Sequence, residues 1–477
     1  MENNFEDPES ENIEFIFPEE WKLGTFIDVT GNDGIFIDGD WVESKDQDPN
    51  GEIRLIQLAD IGDGIFKNKS QRFLTRQKAG ELDCTYLSQG DLLISRLGDP
   101  LGKCCIFPGD PKPSITAVDI CIVRPGNFKA DPKWLMYVIN SPEFRKRINH
   151  FKRGTTRARI SRKNLATLPI PLPPLAEQQH LVACIEALLT HINAARDRLS
   201  RVPLIMTRFR QGVLAAACSG RLTGGWREEN PDVETAIELL QKIKPEVRGK
   251  KVNAKQATND FFEFDQFELP NSWTWTTTSD ICTEISDGDH YPPPKFSSGV
   301  PFIVISNISS GSIDFTKTMF ASQKYYDELA NNRKPQFGDI LYTVTGSYGI
   351  PVIVDTHKEF CFQRHIALLR PHPMIPSEFL WILMKSEMIY QQSKSIATGI
   401  AQLTVPLSGL RVLKIPLPPL AEQHEIVRRV GALFERADAF DQEVAAAGRR
   451  CERLTQAVLG KAFRGELVER KLRFSIL

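Results

Sequence analysis

The sequence has no apolar run approaching the roughly 18 residues that a spanning helix needs, so a membrane span is not expected. Its N-terminus, MENNFEDPESENIEF, has no apolar h-region, so a secretory signal is not expected. The nine cysteines are odd in number, scattered and never spaced C-x-x-C. A disulfide framework and a structural zinc site are therefore disfavoured, and a reducing cytoplasm is the expected compartment. Catalytic motifs are missing too. GDPLGK, from Gly98 to Lys103, has one residue too few between its glycines for a phosphate loop, and no Ser or Thr follows the lysine. No G-x-G-x-x-G follows a strand-like run, and none of the eight histidines lies in H-x-x-x-H spacing. YPPPK at Tyr291 lacks the polar first residue of an amino-methyltransferase tetrapeptide, and Pro231-Asp232 has no E-x-K after it to complete a nuclease metal site. His365, beside Arg364 in a strand-like run, reads as a packed or solvent-edge histidine rather than a base. Together these absences point away from an enzyme and toward a non-catalytic chain with no cofactor or metal of its own.

What is present is a duplication. Ile170 to Gln178 reads IPLPPLAEQ, and Ile415 to Gln423 repeats it 245 residues later. The same offset relates Gly154 to Gly399, Leu165 to Leu410, Leu188 to Leu433, Val213-Leu214 to Val458-Leu459, and Gly220-x-Leu222 to Gly465-x-Leu467. Upstream the copies are looser: PEEW faces PNSW, GDLLISRLG from Gly90 faces GDILYTVTG from Gly338, and Arg124-Pro125 faces Arg370-Pro371. Each copy has a variable front and a closely matched back.

The fronts, 15–169 and 269–414, read as mixed α/β. Short β-rich runs such as DLLIS, ICIVRP and IALLRP lie between Gly, Pro and Asp punctuation, and one-sided apolar segments such as PKWLMYVINSPEFRKRI read as helices. The backs, 170–222 and 415–467, read as long helices entered through prolines, which lose nothing in a first helical turn. Glu177 and Glu422 fall near the positive helix end. Apolar residues then step by four and three: Leu181, Ile185, Leu188, Ile192 and Leu199 in the first copy, Ile426, Val430, Leu433, Phe440, Val444 and Leu454 in the second. That spacing predicts two helices that pair with each other, with Pro203 expected to kink or break the first. Residues 1–14 read as an acidic disordered tail, 223–268 as a linker with one docked helix at VETAIELLQKI, and 468–477 as a C-terminal tail.

The net charge of −1 is misleading. The first 20 residues hold eight acidic and no basic side chains, and without them 59 basic residues face 52 acidic ones. The densest cluster is RKRINHFKRGTTRARISRK, Arg145 to Lys163, with nine cations and no acid. Cations this close repel one another unless a polyanion is near, and DNA phosphate fits. Arg145, Lys146, Arg147, Lys152, Arg153, Arg162 and Lys163 are candidate DNA contacts. Gly154, Thr155 and Thr156 would allow close approach to phosphate, and Arg157 and Arg159 could reach base edges, since arginine reads guanine bidentately. In the second copy Gly399 is kept and Gln402 stands at the position of Arg157; glutamine suits adenine. Arg96, Arg333, Lys334, Ser347, Tyr348 and Lys394 complete the candidate set. Two related surfaces with different side chains are what readers of two different sequences should show.

Two variable fronts, each followed by an IPLPPLAEQ helix ending in GRL or FRGEL, together with WREENPDVETAIELLQKIK from Trp226, resemble the specificity subunit of Type I restriction-modification systems from about Phe17 to Leu467. The resemblance implies an α+β chain of two target recognition domains, each reading one half of a split, asymmetric site in double-stranded DNA. It implies that the conserved helices pair as an antiparallel coiled coil, act as a spacer and bind two modification subunits. S-adenosylmethionine, ATP and Mg2+ would then belong to the modification and restriction partners. After FRGEL the second copy runs only into VERKLRFSIL, a departure that puts any contact through a C-terminal extension in question. A Type IIB-like recognition subunit and a coiled-coil scaffold without DNA binding are the alternatives.

Overall fold

The computed structural model describes residues 18–127, 130–154, 158–247, 268–289, 294, 296–400 and 402–467. The acidic tail, the basic end of the linker, the C-terminal tail and the candidate contacts Thr155, Thr156 and Arg157 lie outside them. The described residues form two compact units that do not follow the halves of the sequence. One holds residues up to Ser200 and from Ala445 onward; the other holds Arg201–Val444.

The first unit contains a four-stranded antiparallel sheet in the order Ile35–Asp38, Ile120–Arg124, Leu92–Ser95, Cys104–Ile106. Beside it in sequence is a three-stranded sheet, Phe73–Leu74, Ile53–Ile56, Ser114–Thr116, whose last pair is parallel. A two-stranded ribbon pairs Lys22–Gly24 with Ile170–Leu172. The second unit repeats all three. Its four-stranded sheet runs Cys282–Asp287, Ile366–Pro371, Ile340–Thr343, Pro351–Ile353. Its three-stranded sheet runs Met319–Ala321, Val300–Ile303, Cys361–Phe362, and its ribbon pairs Thr274–Thr277 with Lys414–Leu417. The duplication is thus a duplication of topology, including the weakly matched fronts.

Period-2 alternation explains why the central strands are apolar throughout. Leu92, Ile94, Cys121 and Val123 face one core with Trp134 and Phe144, whereas Leu93, Cys105, Ile120 and Ile122 face a second core with Ile56 and Phe107. In the second unit Ile340, Tyr342, Ala367 and Leu369 face one side, and Leu341, Val352, Ile366 and Leu368 the other. A sheet covered on both faces reads as an unbroken hydrophobic run rather than an alternating one.

The repeated string begins as strand and becomes helix. Its first residues pair in the ribbon, and helices Leu175–Cys218 and Leu420–Phe463, each of 44 residues, start after the paired prolines. The glutamine of the string is buried in both copies: Gln178 Nε2 donates to the Pro173 carbonyl at 2.8 Å, and Gln423 Nε2 to the Pro418 carbonyl at 2.9 Å. The glutamates differ. Glu422 is fully buried and accepts from Trp273 Nε1 at 2.8 Å, Thr223 Oγ1 at 2.6 Å and the Arg227 guanidinium, whereas Glu177 is only half-buried. Thr223 and Arg227 belong to the segment after the first long helix, so this segment is tied to the entry of the second. The docked helix expected in the linker is present as Ala236–Val247, with Ala236, Leu239, Leu240 and Ile243 buried.

Within each unit the start of one long helix packs beside the end of the other. Leu181, Val182 and Ile185 share a core with Leu459, Ala462 and Phe463. Val213, Leu214 and Ala217 share one with Ile426 and Val430, while Arg210, one turn earlier, bridges to Asp441 at 2.9 Å and to Asp438. Rising numbers meet falling ones, so the pairing is antiparallel. The expected seam is narrower than the heptad count suggests. Ile192, Leu199, Leu433 and Val444 are half-buried, and Leu188, Phe440 and Leu454 are exposed at 41%, 46% and 49%. A straight 3.6-residue helix drifts from a 3.5-residue repeat, so without supercoiling such a stripe stays on its partner over only part of its length. Pro203 does not break its helix, which is continuous through it.

Candidate nucleic-acid interface

In the first unit the basic run begins on a helix, Pro142–His150, capped by Ser141 accepting from the Phe144 amide at 3.2 Å. The second unit builds the same cap 245 residues on, with Ser386 accepting from the Ile389 amide at 3.3 Å. After the helix the chain forms a small hairpin. Arg153 and Arg159 exchange both backbone hydrogen bonds at 3.0 Å, and Gly98 N–H donates to the Ala158 carbonyl at 3.1 Å. Buried Ala158 and Ile160 fix its far strand, while Lys152, Arg153 and Gly154 stand in solvent. The second unit repeats this frame: Thr398 and Thr404 exchange bonds of 2.9 and 2.8 Å, and Gly346 N–H donates to the Leu403 carbonyl at 3.0 Å. Both hairpins turn on glycine at positive φ, 88° at Gly154 and 118° at Gly399. At Gly399 a Cβ would lie 2.4 Å from the Gln402 carbonyl oxygen, so no other residue fits.

Side-chain partners divide the candidate cations. Arg145 pairs with Asp63 and donates to Asn140 Oδ1 at 3.0 Å. Arg159 pairs with Asp119, and Arg162 lies 3.6 Å from Asp38 while donating to the Phe36 carbonyl at 2.8 Å. Arg147 is half-buried, and burial pushes its guanidinium below its ordinary range. Lys146, Lys152, Arg153 and Lys163 are exposed and, among the described residues, carry no ion pair. They form the part of the run left for an external anion.

Three further candidate contacts have partners within the fold. Arg96 is 6% exposed; its guanidinium lies 3.0 Å from Asp38 and donates to the Val118 carbonyl at 2.6 Å. Arg333 sits 3.6 Å from Asp287 and 3.4 Å from Asp289. Lys334 donates to the Asp327 carbonyl at 3.1 Å and lies 5.0 Å over the Tyr326 ring. Sequence order cannot show these partners, because they come from distant strands and turns. Of the other second-unit candidates, Ser347, Lys394, Gly399 and Gln402 are exposed, and half-buried Tyr348 stacks on Tyr390 at 5.7 Å.

The two frames also reveal residues that the sequence did not single out. Arg96 N–H bonds the Asp119 carbonyl and its own carbonyl accepts from Ile160; Val344 makes the same two bonds with His365 and Val405. Val344 is therefore the counterpart of Arg96, and His365 of Asp119. Where the Arg96 guanidinium fills the first unit, the second has a cavity of about 300 Å³ lined by Asp287, Val344, Thr345, Arg364, His365 and Thr404. Arg364 is exposed, and half-buried His365 is held below its ordinary pKa by burial and by that neighbouring guanidinium. At the hairpin tip, Ile400 is fully exposed, with Leu403 at 42%. Superposing the two copies at the 245-residue offset would have pointed to Ile400, which stands opposite Thr155.

A duplicated frame with anion-seeking side chains on one copy is matched by a family model. The model described as Type I restriction modification DNA specificity domain matches residues 18–202 and again 270–443. The chain belongs to that family. It is 30% identical over 362 residues to the Type I restriction enzyme EcoBI specificity subunit of Escherichia coli, covering 75% of this chain and 70% of that one. Two solved structures share its fold. A chain from a type I R-M system, solved in a study of complex assembly and conformational transition, aligns with a TM-score of 0.64 and 20% identity over 94% of this chain and 99% of its own. The HsdS subunit from Thermoanaerobacter tengcongensis aligns at 0.55 and 20%, over 94% and 98%. As a Type I specificity subunit the chain is a DNA-recognition component and not itself the catalyst. No helix among the described residues is long and apolar enough to cross a membrane.

Proposed function

We propose that each unit reads one half of a split, asymmetric DNA site through its glycine-turned hairpin, and that the paired long helices set the distance between the halves. The observation that carries this reading is the repetition of one hairpin frame, Arg153–Arg159 and Thr398–Thr404, with different chemistry on its surface. Lys146, Lys152, Arg153 and Lys163 supply the phosphate attraction on the first unit, and Lys394 and Arg364 a weaker one on the second. The long helices also dock two modification subunits, and restriction subunits join them. S-adenosylmethionine, ATP and Mg2+ act on those partners, in the cytoplasm.

A helix of 44 residues is about 66 Å long at 1.5 Å per residue. That is enough to separate two readers by a DNA turn of about 34 Å. Insertion of four residues after Ala187 lengthens the helix by about 6 Å, the rise of one or two base pairs at about 3.4 Å each. With the modification subunits present, a methylation screen against randomised spacers should find the preferred spacer longer by one or two pairs, with both half-sites unchanged. Methylation of only the original spacing at full efficiency would remove the helices as the ruler.

A further inference from the structure

We infer that Ile400 is a specificity-determining residue of the second unit, packing its side chain against the 5-methyl group of a thymine in the major groove of that unit's half-site. The inference rests on the reading of the hairpin as a DNA surface and adds the chemistry that one position recognises.

Ile400 is fully exposed, the most exposed of the large apolar side chains among the described residues. Its backbone is held by the paired bonds between Thr398 and Thr404, by the Gly346–Leu403 bond and by a glycine that tolerates no Cβ. An apolar side chain this exposed has burial to gain from a partner that covers it. In the first unit the hairpin carries exposed Lys152 and Arg153, an edge suited to a polyanion. In the second unit Lys394 is exposed on the helix leading into the hairpin, and exposed Arg364 lines a cavity shared with Thr404; both suit phosphate. Phosphate and sugar offer isoleucine little, and the minor groove shows no methyl group. Thymine C5-methyl is the one apolar group displayed on a base edge in the major groove. Exposed Gln402, two residues on, has an amide whose N–H can donate to adenine N7 while its oxygen accepts from the N6 amino group, which makes an A·T-containing half-site consistent with both side chains.

The test uses the chain assembled with its modification subunits on the site found by methylome sequencing. Each thymine of the second half-site, on either strand, is replaced in turn by deoxyuridine, which removes only the methyl group. One replacement should lower wild-type affinity about three- to ten-fold. Ile400→Ala should bind the thymine site that much more weakly and be insensitive to the same replacement, a coupling read as a double-mutant cycle. Ile400→Val should keep part of the discrimination, and unchanged thermal unfolding of both variants confirms an intact unit. The inference is overturned if no thymine is sensitive beyond two-fold, if Ile400→Ala keeps the sensitivity, or if Ile400→Ala instead weakens subunit assembly without changing DNA preference. It is overturned equally if the loss follows base-step flexibility and not the methyl group, as for an intercalating wedge. Failure of the underlying reading looks different: exchanging the second front would then leave the half-sites unaltered.

Discussion

The two units share strand order, helix caps and hairpin bonds, yet at equivalent points they carry opposite chemistry. Arg96 fills with a buried guanidinium the space that Val344 leaves as a cavity; Asp119 holds Arg159 where His365 has no carboxylate to offer Thr404. One tip is bordered by cations, and the other presents isoleucine. The lesson is that the frame is made of backbone hydrogen bonds, glycine turns and alternating core residues, none of which depends on what the surface reads. Recognition side chains can diverge while the frame stays constant.

The comparison can be broken most strongly at the repeated helix entry, where identical strings lie in different surroundings. Glu422→Ala should cost about 3–5 kcal/mol, because it leaves the Trp273 indole and the Arg227 guanidinium without their buried acceptor. Glu177→Ala, at a half-buried site, should cost no more than about 1 kcal/mol. Thermal unfolding of the two variants checks this, and equal losses would contradict it.

The next contrast is between Arg96 and Val344. Arg96→Val should destabilise the first unit by about 2–3 kcal/mol, since Asp38 loses a partner and a cavity opens. Val344→Ala enlarges a cavity already present and should cost about 1 kcal/mol. Denaturant midpoints at constant slope measure both.

A smaller effect is expected in binding. Replacing Lys146, Lys152, Arg153 and Lys163 by Ala should reduce the slope of log K against log salt by up to about 3.6, uniformly across sequences, at roughly 0.9 per phosphate. Lys394→Ala should change it by less than one. Arg145 and Arg162 are the wrong residues for this experiment, because losing their carboxylate pairs would perturb the fold as well.

The smallest effect concerns His365. Burial and Arg364 lower its folded pKa, so the folded state favours the neutral ring. Stability from this group is present above the unfolded value near 6.5 and falls as pH drops through the lower folded pKa. His365→Gln should flatten that acid-side slope slightly, and Arg364→Ala should narrow its pH window by raising the folded value toward the unfolded one; an unchanged slope in both would place the acid sensitivity elsewhere.

The sequence revealed most of what repetition and periodicity can carry. Identical strings at Ile170 and Ile415 located the two helix entries, and the same offset paired Gly154 with Gly399, although not that each turns a hairpin. The extent of the helix seam was overread, because apolar spacing along one helix does not say how much of it a single partner covers. Free and engaged cations were not distinguishable either. The carboxylates of Asp38, Asp63 and Asp119, which occupy Arg96, Arg145 and Arg159, reach them only through the fold. Ile400 escaped notice because a lone apolar residue in a polar stretch has no signal until its exposure is known.

The most direct test of two independent readers on one frame is to exchange the fronts singly. The segment moved must run from residue 18 through Pro169, so that the hairpin travels with its sheet, or from residue 270 through Lys414 for the second. Each exchange, made with the equivalent front of a relative of different target, is assembled with the modification subunits and its methylated sites are sequenced. The account predicts that each exchange rewrites one half-site, a different half for each, and leaves the other half and the spacer as they were. Both halves changing in either exchange, or neither changing in both, would contradict it.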